Sequence, residues 1–484
     1  MSETAANPAN SRPRAGIDES ANAGAEERLF AALTSEMNVP LDADAVTGWI
    51  TRLTAFDRNV SDAERIDQLR ALERLKAAAA AAQARISVDL DASVRAADAA
   101  SGIPTERQGR GVAGQIAFAR QESPYRGSRH LGLGKTLVSE MPHTLAALEQ
   151  GLLSEWRATL LARETGCLSV EHRRLIDARL CSDPTVLEGW GDRRLVNEIQ
   201  QLACQLDAAA VARRRSRAES ERRVSCRPAP DTMAHLSALL PVAQGVAVYA
   251  ALRKAADARI AAGDPRSRGQ IMADTLVERV TGQATASGVP VEIHVIMSDR
   301  VLLGGGNEPG HVAGYGSIPA DLARRLAVAA AEAEAAWLRR LYATPDTGRL
   351  VGMDSTRRVF PAGLARFIRV RDQFCRTPWC DAPIRHIDHA HPHHQDGATS
   401  EDNGNGLCEQ CNYIRQAPGW RVRPQDGPRH TLDITTPTGH TYRSTAPAPP
   451  GSPPSSRRPG GRATADRSRR MVGRPGGPRG ARVQ

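Results

Sequence analysis

The sequence predicts an α+β protein with a mostly α-helical N-terminal domain, a small mixed α/β middle region and a compact C-terminal module rich in cysteine. Three observations predict this. Apolar residues recur at helical spacing through the first half of the 484 residues, the period changes to two near residue 291, and four of the eight cysteines fall in two pairs between residues 375 and 411. With 41% hydrophobic and 24% charged side chains, the composition is that of a globular protein of two or three domains. It excludes collagen-like, wholly disordered and small disulfide-stapled chains.

The N-terminal segment, residues 1–25, is polar, aperiodic and rich in Pro and Ala, which predicts a disordered leader. It lacks the cationic start and the apolar run of a secretory signal. No apolar run reaches the ~18 to 20 residues that a membrane span requires. We therefore expect a cytoplasmic protein that does not contact a membrane.

Residues 26–223 are predicted to form an α-helical domain. The leucines between Leu145 and Leu161 are mostly three and four residues apart, and Pro104, Pro124, Pro142 and Pro184 mark helix boundaries. The tripeptide Gly134-Lys135-Thr136 is not a phosphate-binding loop, because Arg129 stands where such a loop has its first glycine. We interpret the tripeptide as a helix start.

The rest of the chain divides into four predicted segments. Residues 224–345 form a mixed α/β continuation, with a strand carrying Val291, Ile293, Val295 and Met297 and a helix from Ala320 to about Tyr342. Residues 346–424 hold the cysteine-rich module. Residues 425–445 form a hairpin that turns at 437–439, and residues 446–484 form a disordered tail of Pro, Gly, Ser and Arg.

The tail carries most of the net charge. Of the formal +10, about +8 lies in residues 446–484, where nine arginines face one acid, and the body before it is nearly neutral. A basic arm on a neutral body is typical of proteins that bind a polyanion, usually nucleic acid. A solvated terminus without a partner is the alternative. Four tail arginines are candidate DNA contacts, namely Arg457, Arg458, Arg469 and Arg470.

The two cysteine pairs predict a structural zinc site. Four residues separate Cys375 from Cys380, two separate Cys408 from Cys411, and 27 lie between the pairs. This spacing is typical of a tetrahedral four-thiolate zinc site, which leaves no open position for catalysis. An iron–sulfur cluster or four unrelated buried cysteines are the alternatives.

Between the cysteine pairs lie five histidines within nine residues, which a zinc site alone does not need. Asp388 and His389 are expected at the end of a short strand, beside the loop that leads to Asn403, and Asn412 on a short helix that begins near the second pair. This arrangement resembles the HNH endonucleases, whose ββα-metal motif has Asp-His at the end of its first strand, Asn five residues before a Cys pair, and His or Asn directly after that pair. Together with the Ala- and Arg-rich helical region, it is similar to actinobacterial HNH-signature proteins with an N-terminal domain of unknown function.

The resemblance implies a treble-clef-like ββα-metal module and a role for each matched residue. His389 would act as the general base toward water, and Asp388 and Asn412 would hold a catalytic Mg²⁺ or Mn²⁺. Asn403 would hold the connecting loop and the His389 backbone. Many relatives have His where Asn412 stands. Arg415 either contacts a phosphate or faces solvent.

We therefore expect a metal-dependent DNA endonuclease that acts on double-stranded DNA, with structural zinc and catalytic Mg²⁺ or Mn²⁺. A zinc-dependent nucleic-acid-binding protein that no longer cleaves is the alternative from another class. A metalloregulatory protein that uses the His-rich loop is a third hypothesis.

Overall fold

A computed structural model describes residues 42–286, 295–332 and 359–449. The chain divides into two compact units, residues 1–73 and 74–484. The predicted leader lies outside the described residues, as do Val291, Ile293 and the four candidate tail arginines.

The helical part of the chain extends from residue 43 to residue 220 and consists of eight α-helices and two short 3₁₀ turns in the described residues. Helices begin at Pro124 and Pro142, where the missing N–H costs nothing, and Ser123 caps the first of them. The tripeptide Gly134-Lys135-Thr136 lies inside a helix, so its interpretation as a helix start is wrong. A Cβ at Gly134 would lie 3.0 Å from the carbonyl oxygen of Ala84, and the glycine serves close helix packing. The helices are α1 Ala43–Thr54, α2 Asp62–Ala100, α3 Val112–Ala119, α4 Pro124–Glu140, α5 Pro142–Glu149, α6 Glu155–Glu164, α7 Val170–Cys181 and α8 Asp192–Ser220.

The largest hydrophobic core of the described residues lies among these helices. Its fully buried side chains include Leu137, Leu148, Leu161 and Leu195, contributed by α4, α5, α6 and α8. The leucines that recur at helical spacing in the sequence therefore lie on the buried faces of these helices.

The middle region mixes short helices with small sheets. A two-stranded antiparallel ribbon, β1 Arg223–Ala229 and β2 Met233–Leu239, precedes α9 Val242–Ala261 and α10 Arg268–Thr281. A second antiparallel sheet has the order β3-β4-β5, with β3 Val295–Ile296, β4 Gly310–Val312 and β5 Gly316–Ile318. Helix α11 Asp299–Leu302 lies between β3 and β4, and α12 Ala320–Glu332 follows β5.

The C-terminal region contains two further antiparallel sheets. After α13 Ala362–Asp372, strands β6 His386–His389 and β7 Gly404–Leu407 pair, and α14 Glu409–Arg415 follows directly. The last sheet has the order β10-β9-β8, with β8 Arg421–Gln425, β9 Thr431–Thr435 and β10 Thr441–Thr445. The sequence indicates only the β9–β10 hairpin. Strand β8 is an additional strand that crosses the expected boundary at residue 424.

The described chain is therefore rich in helices with several small sheets, which confirms the predicted α+β class. Among the described residues, no helix combines the length and the apolar character needed to cross a membrane.

Candidate functional site

Four cysteines form a compact cluster, as their paired spacing predicts. The sulfurs of Cys375, Cys380, Cys408 and Cys411 all lie within 4.8 Å of one another. The Cys380 sulfur is 3.7 Å from that of Cys408 and 3.5 Å from that of Cys411. These separations are close to the edge of a tetrahedron with Zn–S bonds of about 2.3 Å, which is about 3.8 Å. The cluster could therefore hold a metal such as zinc.

The four thiols are electrostatically coupled. Hydrogen bonds with the neighbouring sulfurs lower the pKa of Cys375 and of Cys408 and raise the pKa of Cys380 and of Cys411. A divalent metal would bind the thiolates and displace their protons.

The strands and the helix beside the cluster form a ββα unit. Strand β6 pairs with β7 so that Asp388 lies opposite Asn405 and His389 opposite Gly404. A Cβ at Gly404 would lie 2.4 Å from Ile368 Cδ1 on α13, so only glycine lets β7 approach that helix so closely. Cys408 then caps α14 by accepting a hydrogen bond from the Cys411 N–H.

Asp388 and His389 occupy the end of β6, where the sequence places them. The His389 N–H donates to Asp388 Oδ1 at 2.9 Å. His389 is 8% exposed. The centroid of its ring lies 4.5 Å from that of Phe360, and its Nε2 forms a 2.9 Å hydrogen bond with Thr399 Oγ1. Packing and the Thr399 hydroxyl therefore orient the imidazole.

Asn403 bridges the loop between β6 and β7. Its Oδ1 accepts from the His391 N–H at 2.7 Å, and its Nδ2 donates to the carbonyls of His391 and Ala398 at 2.9 and 2.7 Å. Its own carbonyl accepts from the Ala390 N–H at 2.6 Å. The side chain therefore ties both ends of the His-rich loop together, directly after His389.

Asn412 lies in α14, directly after Cys411, and its Oδ1 is buried without a hydrogen-bond partner among the described residues. A buried amide oxygen of this kind loses its hydration without compensation unless a donor or a cation meets it. Like the Asp388 carboxylate on β6, it is a hard oxygen atom of the kind that Mg²⁺ or Mn²⁺ prefers.

Arg415 differs from both expectations for it. Its guanidinium points into the protein, where Nη1 donates to Asn405 Oδ1 at 2.7 Å and Nη2 donates to the His389 carbonyl at 2.9 Å. Burial lowers the pKa of Arg415, while the nearby Asp388 carboxylate opposes the shift. Arg415 therefore neither faces solvent nor reaches outward toward a phosphate. It fastens α14 to the end of β6.

A buried ionic network that the sequence does not predict lies next to the cysteine cluster. Burial raises the pKa of Asp372, but the charges of Arg371 and Arg376 outweigh it, and the net shift is downward. Asp372 accepts from the Gly406 N–H at 2.7 Å and pairs with Arg376 at 2.9 Å, and Arg376 also donates to His430 Nδ1 at 3.1 Å. Asp372 and Arg376 are only four residues apart, but Gly406 and His430 are distant in the sequence, so local patterns do not predict the network.

The helical region docks onto this unit through an aromatic cluster. Phe118 of α3 makes edge-to-face contacts with Trp379, Trp420 and Tyr442 at centroid distances of 5.9, 5.5 and 4.8 Å. A Cβ at Gly114 would lie 2.9 Å from Ile414 Cγ2, so α3 and α14 are in close contact. The helix that carries Asn412 is thus packed directly against the helical region.

Comparison with known proteins identifies a family and curated relatives. The family model described as "Domain of unknown function (DUF222)" matches residues 69–372, more than half of the chain. The Mycobacterium tuberculosis protein named "Uncharacterized protein Rv3776" is 29% identical over 387 residues, which cover 68% of this chain and 69% of that protein. "Uncharacterized protein Rv2100" from the same species is 40% identical over 85 residues, 17% of this chain and 15% of that protein. No solved structure matches significantly.

Proposed function

The chain belongs to the family described as domain of unknown function DUF222, and we propose that its C-terminal ββα unit makes it a metal-dependent endonuclease of the HNH type that cleaves double-stranded DNA. Zinc on the four cysteines would be structural. A hard divalent ion, Mg²⁺ or Mn²⁺, would be catalytic and would be held by Asp388 and Asn412.

A single observation carries the proposal. A buried amide oxygen on Asn412 has no hydrogen-bond partner among the described residues, and it lies on the helix that Arg415 fastens to the carbonyl of His389, the residue after Asp388. A purely structural zinc module needs neither an oriented imidazole nor an uncompensated hard ligand. The combination fits hydrolysis of a phosphodiester better than passive binding.

Each residue has a task that follows from its contacts. His389 takes a proton from the attacking water, and Thr399 keeps its ring in position. Asn403 holds the loop that follows His389, and Arg415 fixes the spacing between β6 and α14. Asp388 and Asn412 would hold the divalent ion, which would supply charge neutralisation at the phosphate and the leaving oxygen.

The test is plasmid cleavage with Mg²⁺ or Mn²⁺ by the full-length zinc-loaded protein. His389→Ala should lower the rate by roughly 10²- to 10⁴-fold, the range for a positioned general base. His394→Ala is the matched control, because that histidine lies in the same loop but is exposed. The control should cleave like the parent protein.

Asn412→Ala should fail differently from His389→Ala. Loss of a metal ligand weakens ion binding, so the defect should shrink as Mg²⁺ or Mn²⁺ is raised, whereas the His389→Ala defect should persist at saturating ion. If the zinc-loaded parent cleaves no DNA with any divalent ion but binds it, the non-cleaving nucleic-acid-binding alternative replaces the nuclease.

A further inference from the structure

The C-terminal sheet has two faces of opposite character. Alternate residues Val422, Leu432, Ile434 and Tyr442 pack inward around Phe118. The opposite face carries the arginines Arg421, Arg423 and Arg443 against a single acid, Asp433, with several threonines between them. The outward face, which we call the arginine face, therefore has a net charge of +2.

The arginines of this face differ in how they are paired. Arg443 forms a two-pronged ion pair with Asp433, at 2.8 and 2.9 Å. Arg421 and Arg423 are exposed and have no hydrogen bond or ion pair with any described residue. Being two residues apart on β8, they project from the same side of the strand, with their Cα atoms about 6.8 Å apart.

The arginine face is held rigidly beside the cysteine cluster. Arg376, next to Cys375, donates from Nη2 to the carbonyl of Ser444 at 2.8 Å and to the carbonyl of His430 at 3.2 Å. The inward side chains are fixed by the aromatic cluster around Phe118. Because the backbone of the sheet is already fixed, an anion that binds these arginines has to order only their side chains.

We propose that the arginine face binds the phosphate backbone of duplex DNA next to the ββα unit. The inference rests on the proposed function for the identity of the polyanion. Arg421 and Arg423 contact phosphates directly. Such contacts position the duplex without reading its sequence.

The experiment measures binding of a labelled duplex by the full-length zinc-loaded protein, without added Mg²⁺, over a range of salt concentrations. Arg421→Ser/Arg423→Ser should reduce the magnitude of the slope of log K against log[salt] by about 2, since each phosphate contact contributes about 0.9. Arg213→Ser/Arg217→Ser is the matched control. It removes the same charge from exposed positions of α8 and should leave the slope unchanged.

A gain-of-binding variant makes the test independent of folding defects. Asp433→Asn releases Arg443 from its ion pair and should increase the magnitude of the slope by about 1. Equal slopes for the two double variants would overturn the proposal, as would tighter binding of single-stranded DNA or duplex RNA than of duplex DNA. This binding assay is independent of the plasmid-cleavage assay, so the two proposals can fail separately. If the double variant lowers the slope but the parent protein never cuts DNA, only the proposed nuclease activity is refuted. If the slope is unchanged and the parent protein does cut DNA, only DNA binding by the arginine face is refuted.

Discussion

Replacing Phe118 with alanine should loosen the contact between the helical region and the C-terminal ββα unit. The Phe118 side chain is 1% exposed and contacts three aromatic rings, two of them tryptophans from the cysteine-rich module. Phe→Ala at a buried site costs about 3 to 5 kcal/mol. Each edge-to-face pair contributes about 0.5 to 1.5 kcal/mol beyond area burial, so we expect the upper part of that range.

The measurement is urea unfolding, followed by tryptophan fluorescence because Trp379 and Trp420 both line the contact. Phe118→Leu keeps most of the volume and should cost less than about half as much. Tyr125→Ala is the control, since this aromatic residue of α4 is 63% exposed and should change stability by no more than about 0.5 kcal/mol. A loss below about 1 kcal/mol for Phe118→Ala would show that the aromatic cluster does not hold the two regions together.

Three further predictions concern the metal, the pH and the tail. Elemental analysis should find one zinc per chain, which Cys408→Ser abolishes and Cys204→Ser, at an exposed position, leaves intact. Burial lowers the pKa of His430 from 6.5 to about 4, so the folded state binds fewer protons than the unfolded state. The free energy of unfolding should therefore be highest above pH 6.5 and fall by up to about 3 kcal/mol as the pH drops toward 4. Protonated His430 would also be repelled by the positive charges of Arg371 and Arg376. In urea titrations, His430→Gln should lack this pH dependence. Deleting residues 446–484 should weaken DNA binding and flatten its salt dependence while cleavage chemistry persists, and an unchanged slope would make the tail a solvated terminus.

Local sequence patterns anticipate the parts of the site whose residues are close in the chain. The cysteine spacing predicts a cluster because two short turns are enough to bring each pair together, and the sulfurs do meet. The position of Asp388-His389 at the end of β6 and of Asn412 on α14 likewise depends on only a few neighbouring residues.

Contacts between distant segments could not be predicted in this way. Arg415 points into the protein because the Asn405 side chain and the His389 carbonyl accept its hydrogen bonds. Both acceptors lie outside α14, so the sequence of that helix does not predict them. Strand β8 pairs with the edge of β9 that β10 leaves open, and this pairing is not visible in the local sequence. Pro424 within β8 also makes the segment an unfavourable strand by pattern alone. In the sequence Phe118 is one apolar residue of a short helix, and nothing near it predicts its contacts with the aromatic residues of the C-terminal region.

The physical unit that carries the site is larger than the family match. The match ends at Asp372, yet this buried carboxylate binds the Gly406 N–H of β7 and the guanidinium of Arg376, whose side chain is only 3% exposed. Cutting the chain after Asp372 would leave Arg376 as a buried charge without its carboxylate, and breaking a buried pair in this manner costs about 3 to 5 kcal/mol. The same cut would remove Phe118 from the core behind the C-terminal sheet. Because both contacts come from the family domain, that domain is part of the scaffold on which His389 and Asn412 are placed, and any activity of the ββα unit belongs to the two regions together.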